Sequence, residues 1–127
     1  MQNNSLAASM KQGMRRLASG VCVLSTSLEG NQRFAMTVSS VTSVSDSPAS
    51  LLVCINQAVS QQAHLSSLEA SFAINVLSIN HQDVSNLCAG RDPSKNRFDV
   101  GHWVEDASGL PVLTDALAVF ICKTDKV

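Results

Sequence analysis

Residues 21–38 are VCVLSTSLEGNQRFAMTV, and the fold class follows from this segment. The β-branched run Val21 to Thr26 predicts a strand, and Glu29-Gly30-Asn31 predicts a turn. Arg33 to Val38 predicts the returning strand. Together they predict a β-hairpin, so consecutive strands here are joined by a short turn rather than by a helix.

Further strands are predicted on both sides of a polar middle segment. The segment 50–56 is nearly all apolar, which predicts a strand buried on both faces. Residues 39–45 alternate between hydroxyl side chains and valine or threonine. Residues 71–78 alternate in the manner of a strand, and residues 110–113 and 116–123 are the last strand candidates. In total we expect five or six strands.

Two or three short helices accompany these strands. Leu6, Met10, Met14 and Leu17 recur at helical spacing, which predicts an amphipathic first helix. Residues 58–68 have only weak helical periodicity. A short helix is predicted from Asn80, with Val84, Leu87 and Cys88 on one side and a glycine to close it.

No long helix separates successive strands, which argues against a doubly wound parallel sheet. The pattern favours a mainly β, mostly antiparallel barrel with peripheral helices. The length of 127 residues suits one domain covering residues 1–127.

Composition excludes several function classes. The formal net charge is -1 and the basic residues form no run, so we expect no nucleic-acid partner. No apolar segment approaches the length of a membrane span, and residues 1–6 lack the order of a signal peptide. We therefore expect no membrane association and a cytoplasmic location.

The four cysteines and three histidines form no metal-binding pattern. No Cys-x-x-Cys pair exists and the histidines are scattered, so we expect no metal site. The cysteines are predicted to be reduced, buried thiols. Cys22, Cys54 and Cys122 lie in predicted strands and Cys88 at a helix end, whereas His81 is expected at the surface.

Three segments could carry chemistry. Residues 37–45 crowd hydroxyls at a strand end, where they could donate to a phosphate, although a solvated edge strand has the same composition. The apolar strand 53–55 ends in Asn56 and Gln57, whose amides could bind a heterocycle edge or cap a turn. Residues 89–98 hold Arg91, Lys95 and Arg97, which could bind an anion or form a solvated basic loop.

Taken in order, several segments resemble one family, the short-chain flavin reductases of two-component flavin-dependent monooxygenases. Residues 14–24 resemble the family's opening and residues 35–45 its flavin-binding signature. The later segments follow in the family's order, namely residues 52–56, 72–77, 97–103, 109–113 and 115–118. The resemblance covers nearly the whole chain.

The resemblance implies an FMN-binding split β-barrel, Greek-key-like and usually a homodimer with flavin near the subunit interface. It implies an NAD(P)H:flavin oxidoreductase that takes FMN or FAD and passes reduced flavin to a partner oxygenase. No acid–base or nucleophilic residue is required, because hydride transfer between nicotinamide and flavin is the cofactors' own chemistry.

The same resemblance assigns cofactor contacts to three groups of residues. The flavin phosphate and ribityl chain would meet Thr37, Val38, Ser39 and Ser40. The isoalloxazine ring would be lined by Cys54, Ile55 and Asn56. The phosphate side would be closed by Ala89, Gly90, Arg97 and Phe98.

The chain departs from the family at its end. The family continues with further strands and a His-bearing stretch on the nicotinamide side, whereas this sequence ends at Val127. A C-terminally truncated reductase that binds flavin weakly or not at all on its own is therefore expected. Two alternatives stay open: a non-catalytic flavin-binding or electron-carrier module on the same barrel, and a defective fragment that acts only as a partner chain.

Overall fold

The computed structural model describes residues 5–9, 20–28, 32–55, 62–67 and 70–127, with residues 62 and 63 described for their backbone only. Eight strands lie in this part of the chain, more than the five or six expected. They are β1 (Cys22–Leu28), β2 (Gln32–Val38), β3 (Val41–Asp46), β4 (Ala49–Val53), β5 (Ser71–Val76), β6 (Trp103–Glu105), β7 (Pro111–Leu113) and β8 (Ala118–Lys123).

The helices are short. They are α1 (Gln62–Leu65), a 3-10 turn (Ile79–His81) and α2 (Gln82–Cys88). Residues 5–9 are helical, and the rest of the predicted first helix lies outside the described residues. Val84, Leu87 and Cys88 are buried on one side of α2, as its spacing predicts. Within the described ranges, no helix is long and apolar enough to cross a membrane.

The predicted hairpin is confirmed: β1 pairs antiparallel with β2, from Cys22 opposite Val38 to Leu28 opposite Gln32. It is part of a four-stranded central sheet with the order β2-β1-β5-β8, in which all pairs are antiparallel. Two small hairpins, β3–β4 and β6–β7, complete the pairing. The described strands therefore form a mainly β, antiparallel structure of three open sheets.

The central sheet is covered on both faces. The first core cluster packs α2 and β7 onto one face, and it consists of Val23, Ala35, Leu77, Val84, Cys88 and Leu113. The second core cluster lies on the other face and consists of Cys22, Leu24, Val38, Leu65 and Ile74. Because β1 contributes to both clusters at alternate positions, its neighbours Val23 and Leu24 are both fully buried.

The expectation that residues 50–56 form a strand buried on both faces is wrong. Among the strands that the structure describes, β4 pairs only with β3. Leu52 is 52% exposed, while Val53 packs against the second core cluster. A two-stranded ribbon has a single face to bury, so an apolar composition alone does not show how many faces are covered. Cys54, expected to be buried, follows β4 and is exposed for the same reason.

His81 is buried, which corrects the expectation of a surface residue. Its Nδ1 accepts from the Ser78 backbone N–H at 2.9 Å, and its Nε2 lies 3.1 Å from Asp115 Oδ2. Since Nδ1 accepts, the Nε2–H donates to the carboxylate, and this bond lowers the pKa of Asp115. The imidazole thus joins the start of α2 to the turn after β7.

A buried amide fastens the β6–β7 hairpin to the central sheet. Asn75 Nδ2 donates to the Val23 carbonyl and to Ser25 Oγ, each at 2.9 Å, and its Oδ1 accepts from the Leu113 N–H at 3.0 Å. Ser25 Oγ in turn donates to the Pro111 carbonyl at 2.6 Å. The hydrogen-bonding groups of Asn75 are therefore used in a fully buried position.

Candidate functional site

An open cavity of about 580 Å³ lies beside β2, where the C-terminal end of α2 and the following loop approach that strand. Its walls come from three segments, which are residues 33–37 of β2, residues 88–89 at the end of α2, and residues 95–98 of the loop. The size is within the range of small-molecule sites. This cavity is the candidate functional site.

Arg97 holds the three walls together. Its Nη1 donates to the Ala35 carbonyl at 2.7 Å and to the Cys88 carbonyl at 3.2 Å. Its guanidinium carbon lies 5.6 Å from the centroid of the Phe34 ring. One side chain thus joins the loop to β2 and to the last carbonyl of α2, where a cation also meets the negative end of the helix.

Gly90 leaves the space that Arg97 needs. The residue has a φ of 82°, which favours glycine, and it follows the end of α2. A Cβ added at Gly90 would lie 3.1 Å from Arg97 Nη2. The predicted closing glycine therefore both turns the chain and admits the guanidinium.

Local hydrogen bonds fix the shape of the loop. The Phe98 N–H donates to Asn96 Oδ1 at 2.9 Å, and the Asn96 N–H donates to Asp99 Oδ2 at 3.1 Å. Upstream, Ser94 Oγ donates to Asp92, which lowers the pKa of that carboxyl. The loop therefore presents Lys95, Arg97 and Phe98 to the cavity in a defined conformation.

Aromatic contacts join the loop to the core of the protein. The rings of Phe98 and Trp103 meet edge to face with centroids 5.0 Å apart, and Trp103 Nε1 donates to the Val100 carbonyl at 2.9 Å. Gly101 lies between them with a φ of 92°, and a Cβ there would approach Leu113 Cδ1 to 2.9 Å. Phe98, Val100 and Trp103 pack against the first core cluster.

The cavity brings together four of the eleven residues predicted to contact a cofactor, namely Thr37, Ala89, Arg97 and Phe98. Thr37 Oγ1 donates to the Ser85 carbonyl at 2.6 Å, so its hydrogen is used to join β2 to α2. Gly90 adjoins the cavity through Arg97. Of the remaining predicted residues, those that the structure describes do not line it.

Five of the remaining predicted residues lie around the start and end of the β3–β4 hairpin, namely Val38, Ser39, Ser40, Cys54 and Ile55. Val38 is buried in the second core cluster, while Ser39 and Ser40 are exposed. The Cys54 N–H donates to the Ser40 carbonyl at 3.2 Å, which places the two predicted segments side by side. Ile55 packs on the second core cluster, and Asn56 lies outside the described residues.

The sequence did not single out Arg33, which lines the cavity from β2. Its guanidinium carbon lies 5.5 Å from the Phe98 ring centroid. The alternation of side chains along β2 could have identified it, because Arg33, Ala35 and Thr37 occupy the same face of that strand. Of the three predicted loop cations, Lys95 and Arg97 line the cavity and Arg91 does not.

The thiol of Cys88 lies in the cavity wall, and burial raises its pKa to about 11, although Arg97 acts in the opposite direction. At pH 8 only about one thiol in a thousand is then ionised. We expect iodoacetamide at pH 8 to modify the exposed Cys54 first and Cys88 more than tenfold more slowly, as measured by peptide mass spectrometry. The Cys88 rate should rise steeply up to pH 10, and equal rates for the two thiols at pH 8 would contradict this account.

The four cysteines are free, and no group of three or more His, Cys, Asp or Glu side chains that could hold a metal ion occurs in the part of the chain that the structure describes. No side chain in the cavity wall resembles a nucleophile paired with a base. Hydroxyl, guanidinium, ammonium and aromatic groups border the cavity instead. Such groups bind and orient an anionic ligand rather than react with it.

Comparison with known proteins shows the family. Residues 14–127 match the model of the flavin reductase like domain, so the chain belongs to the flavin reductase family. The resemblance inferred from the sequence is thereby confirmed. A curated relative from Methylorubrum extorquens, the FMN reductase (NADH) RutF, is 44% identical over 117 residues, which are 92% of this chain and 56% of that protein.

Solved structures show the same fold. BorF, the flavin reductase component of a bacterial two-component tryptophan halogenase, aligns with a TM-score of 0.76 at 33% identity over 92% of this chain and 73% of its own. The Streptomyces globisporus NADH:FAD oxidoreductase SgcE6, in complex with NAD and FAD fragments, aligns with a TM-score of 0.79 at 28% identity, over 92% and 68%. The chain thus spans little more than half the length of the curated relative and about seven tenths of these structures.

Proposed function

We propose that the protein is an NADH:flavin oxidoreductase that binds FMN, reduces it and releases reduced flavin to a separate oxygenase component. The observation that carries this proposal is the cation-bordered cavity beside β2 in a chain of the flavin reductase family. The names of its relatives, an FMN reductase (NADH) and an NADH:FAD oxidoreductase, support the choice of both substrates.

The residues of the cavity fit the phosphate end of a flavin. Arg33, Lys95 and Arg97 supply positive charge on one side of an opening of about 580 Å³. Ser39 and Ser40 follow the end of β2 and are exposed, so their hydroxyl groups can donate to the ligand. The Thr37 hydroxyl already donates to the Ser85 carbonyl. We place the phosphate and ribityl chain along this edge, with Ala89, Gly90 and Phe98 closing it and with Val38 contributing only backbone.

The ring end of the flavin is placed at the adjoining segment. The hydrogen bond from Cys54 to Ser40 brings residues 54 and 55 next to the hydroxyl-rich turn. We propose that Cys54, Ile55 and Asn56 line the isoalloxazine ring. The apolar Ile55 would cover part of the ring face, and the Asn56 amide would bind the polar ring edge.

In this mechanism the bound flavin supplies the hydride acceptor. The protein would bind the phosphate and orient the ring, because hydrogen bonds within the protein fix the wall residues. Thr37 and Arg97 act indirectly, since they hold β2, α2 and the loop at the spacing that the ligand requires. We assign no residue to proton transfer.

The finer architecture belongs to the same proposal. We propose that residues 1–127 form one domain built on a split β-barrel of Greek-key type, and that two copies associate with flavin near their interface. The open edges of the central sheet at β2 and β8 are compatible with added strands or a second subunit. The partner oxygenase and the cytoplasmic location stay predictions.

Steady-state NADH oxidation at 340 nm, with FMN, FAD and riboflavin compared side by side, tests the proposed function. We expect flavin-dependent NADH consumption at least tenfold above the rate without protein, with FMN the preferred acceptor. NADPH in place of NADH serves as the comparison for the reductant. A protein that binds flavin yet consumes no NADH would instead support the non-catalytic flavin-binding module.

A further inference from the structure

Three cations border the cavity, and within the described ranges none of them lies within 4.0 Å of a carboxylate. Arg33 comes from β2, whereas Lys95 and Arg97 come from the loop. Although Lys95 acts electrostatically on Asp92, none of the three cations forms an ion pair with a described carboxylate, and positive charge of this kind favours an anionic ligand. The structural contacts of the three side chains then show which of them can meet it.

Arg97 is committed to the protein. Its Nη1 makes two hydrogen bonds to backbone carbonyls, and its guanidinium lies against Phe34. Moving Arg97 to a ligand would leave the Ala35 and Cys88 carbonyls without their donor. Its role is therefore to position the cavity walls.

Arg33 is placed differently. Its backbone is fixed opposite Ser27 in the central sheet, and its guanidinium lies over Phe98, which itself rests on Trp103. Its side chain donates no hydrogen bond to any residue that the structure describes. Stacking on a ring face limits the motion of the guanidinium while its N–H donors, which lie in the guanidinium plane, stay available.

We infer that Arg33 is the specificity-determining residue for the phosphate of the ligand, so that the site prefers a flavin with a phosphate group over riboflavin. This inference rests on the proposed function and adds to it the residue that discriminates. The planar guanidinium can form two parallel hydrogen bonds to phosphate oxygens. Lys95, an exposed point charge on a flexible chain, contributes attraction with less geometric selection.

The test is to measure FMN and riboflavin binding by equilibrium dialysis for the unchanged protein and for Arg33→Gln, Arg33→Lys and Arg91→Gln. Arg33→Gln should weaken FMN binding about tenfold and leave riboflavin binding unchanged. Arg33→Lys should recover part of the loss. Arg91→Gln removes the same charge from an exposed residue outside the cavity, and FMN binding should change less than twofold.

The outcomes separate this inference from the proposed function. Equal losses for FMN and riboflavin in Arg33→Gln, or no loss for either, overturn the inference while the proposed function stands. If the unchanged protein binds neither flavin, the proposed function fails, and inorganic phosphate becomes the probe. Phosphate must then raise the melting temperature of the unchanged protein more than that of Arg33→Gln, and equal shifts overturn the inference as well.

Discussion

Replacing Asn75 with alanine is expected to lower the free energy of unfolding by about 3 kcal/mol. The side chain makes three hydrogen bonds in a fully buried position. Two of them join β5 to β1 within the central sheet, and the third joins β5 to β7. Alanine would leave the Leu113 N–H and the Val23 carbonyl without this partner and would also create a small cavity. Urea denaturation followed by circular dichroism measures the change.

Asn80→Ala is the matched control, because it deletes the same amide from an exposed position in the 3-10 turn. Its effect should stay below about 0.5 kcal/mol. A loss for Asn75→Ala of less than about 1 kcal/mol would show that the buried amide does not fasten the β6–β7 hairpin in the way described.

Replacing Arg97 with methionine is the second large change. Methionine keeps much of the length of the side chain but removes the donor to the Ala35 and Cys88 carbonyls and the cation over Phe34. We expect a loss of about 2 kcal/mol in unfolding free energy, because two carbonyls lose a charged donor. We also expect more than tenfold weaker FMN binding, because the walls of the cavity are no longer held together.

The matched control for this change is Arg91→Met, which alters an exposed cation of the same loop outside the cavity wall. Arg97→Lys keeps the positive charge but loses the planar arrangement of donors, since an ammonium cannot reproduce the guanidinium. It therefore distinguishes the effect of the charge from that of the hydrogen-bond geometry. Both binding of riboflavin and binding of FMN should weaken in Arg97→Met. A loss confined to FMN would instead show that Arg97 acts as a phosphate ligand rather than as a positioning residue.

Local sequence patterns predicted the elements whose formation depends on local contacts. The hairpin of β1 and β2 follows from a β-branched run and a Gly-Asn turn, and α2 follows from the spacing of Val84, Leu87 and Cys88. The resemblance also predicted the family, and four of the eleven residues that it assigned to the cofactor line one cavity. Neither kind of information depends on how distant segments pack.

The errors concern exposure, which depends on what covers a segment in space. Leu52 and Cys54 belong to an apolar run, yet they are exposed because, among the described strands, β4 pairs only with β3 in a two-stranded ribbon. His81 is polar, yet it is buried because a backbone N–H and a carboxylate satisfy its two ring nitrogens. Arg33 was overlooked because its ring partner lies 65 positions further along the chain, at Phe98.

The contact between Phe98 and Trp103 also gives the protein an intrinsic optical reporter. The chain has a single tryptophan and no tyrosine, so almost all ultraviolet emission excited above 290 nm comes from one indole. That indole touches the ring that lines the cavity, and its own N–H is bonded to the Val100 carbonyl. Its emission should therefore respond both to a ligand entering the cavity and to detachment of the loop from the core, without any added label.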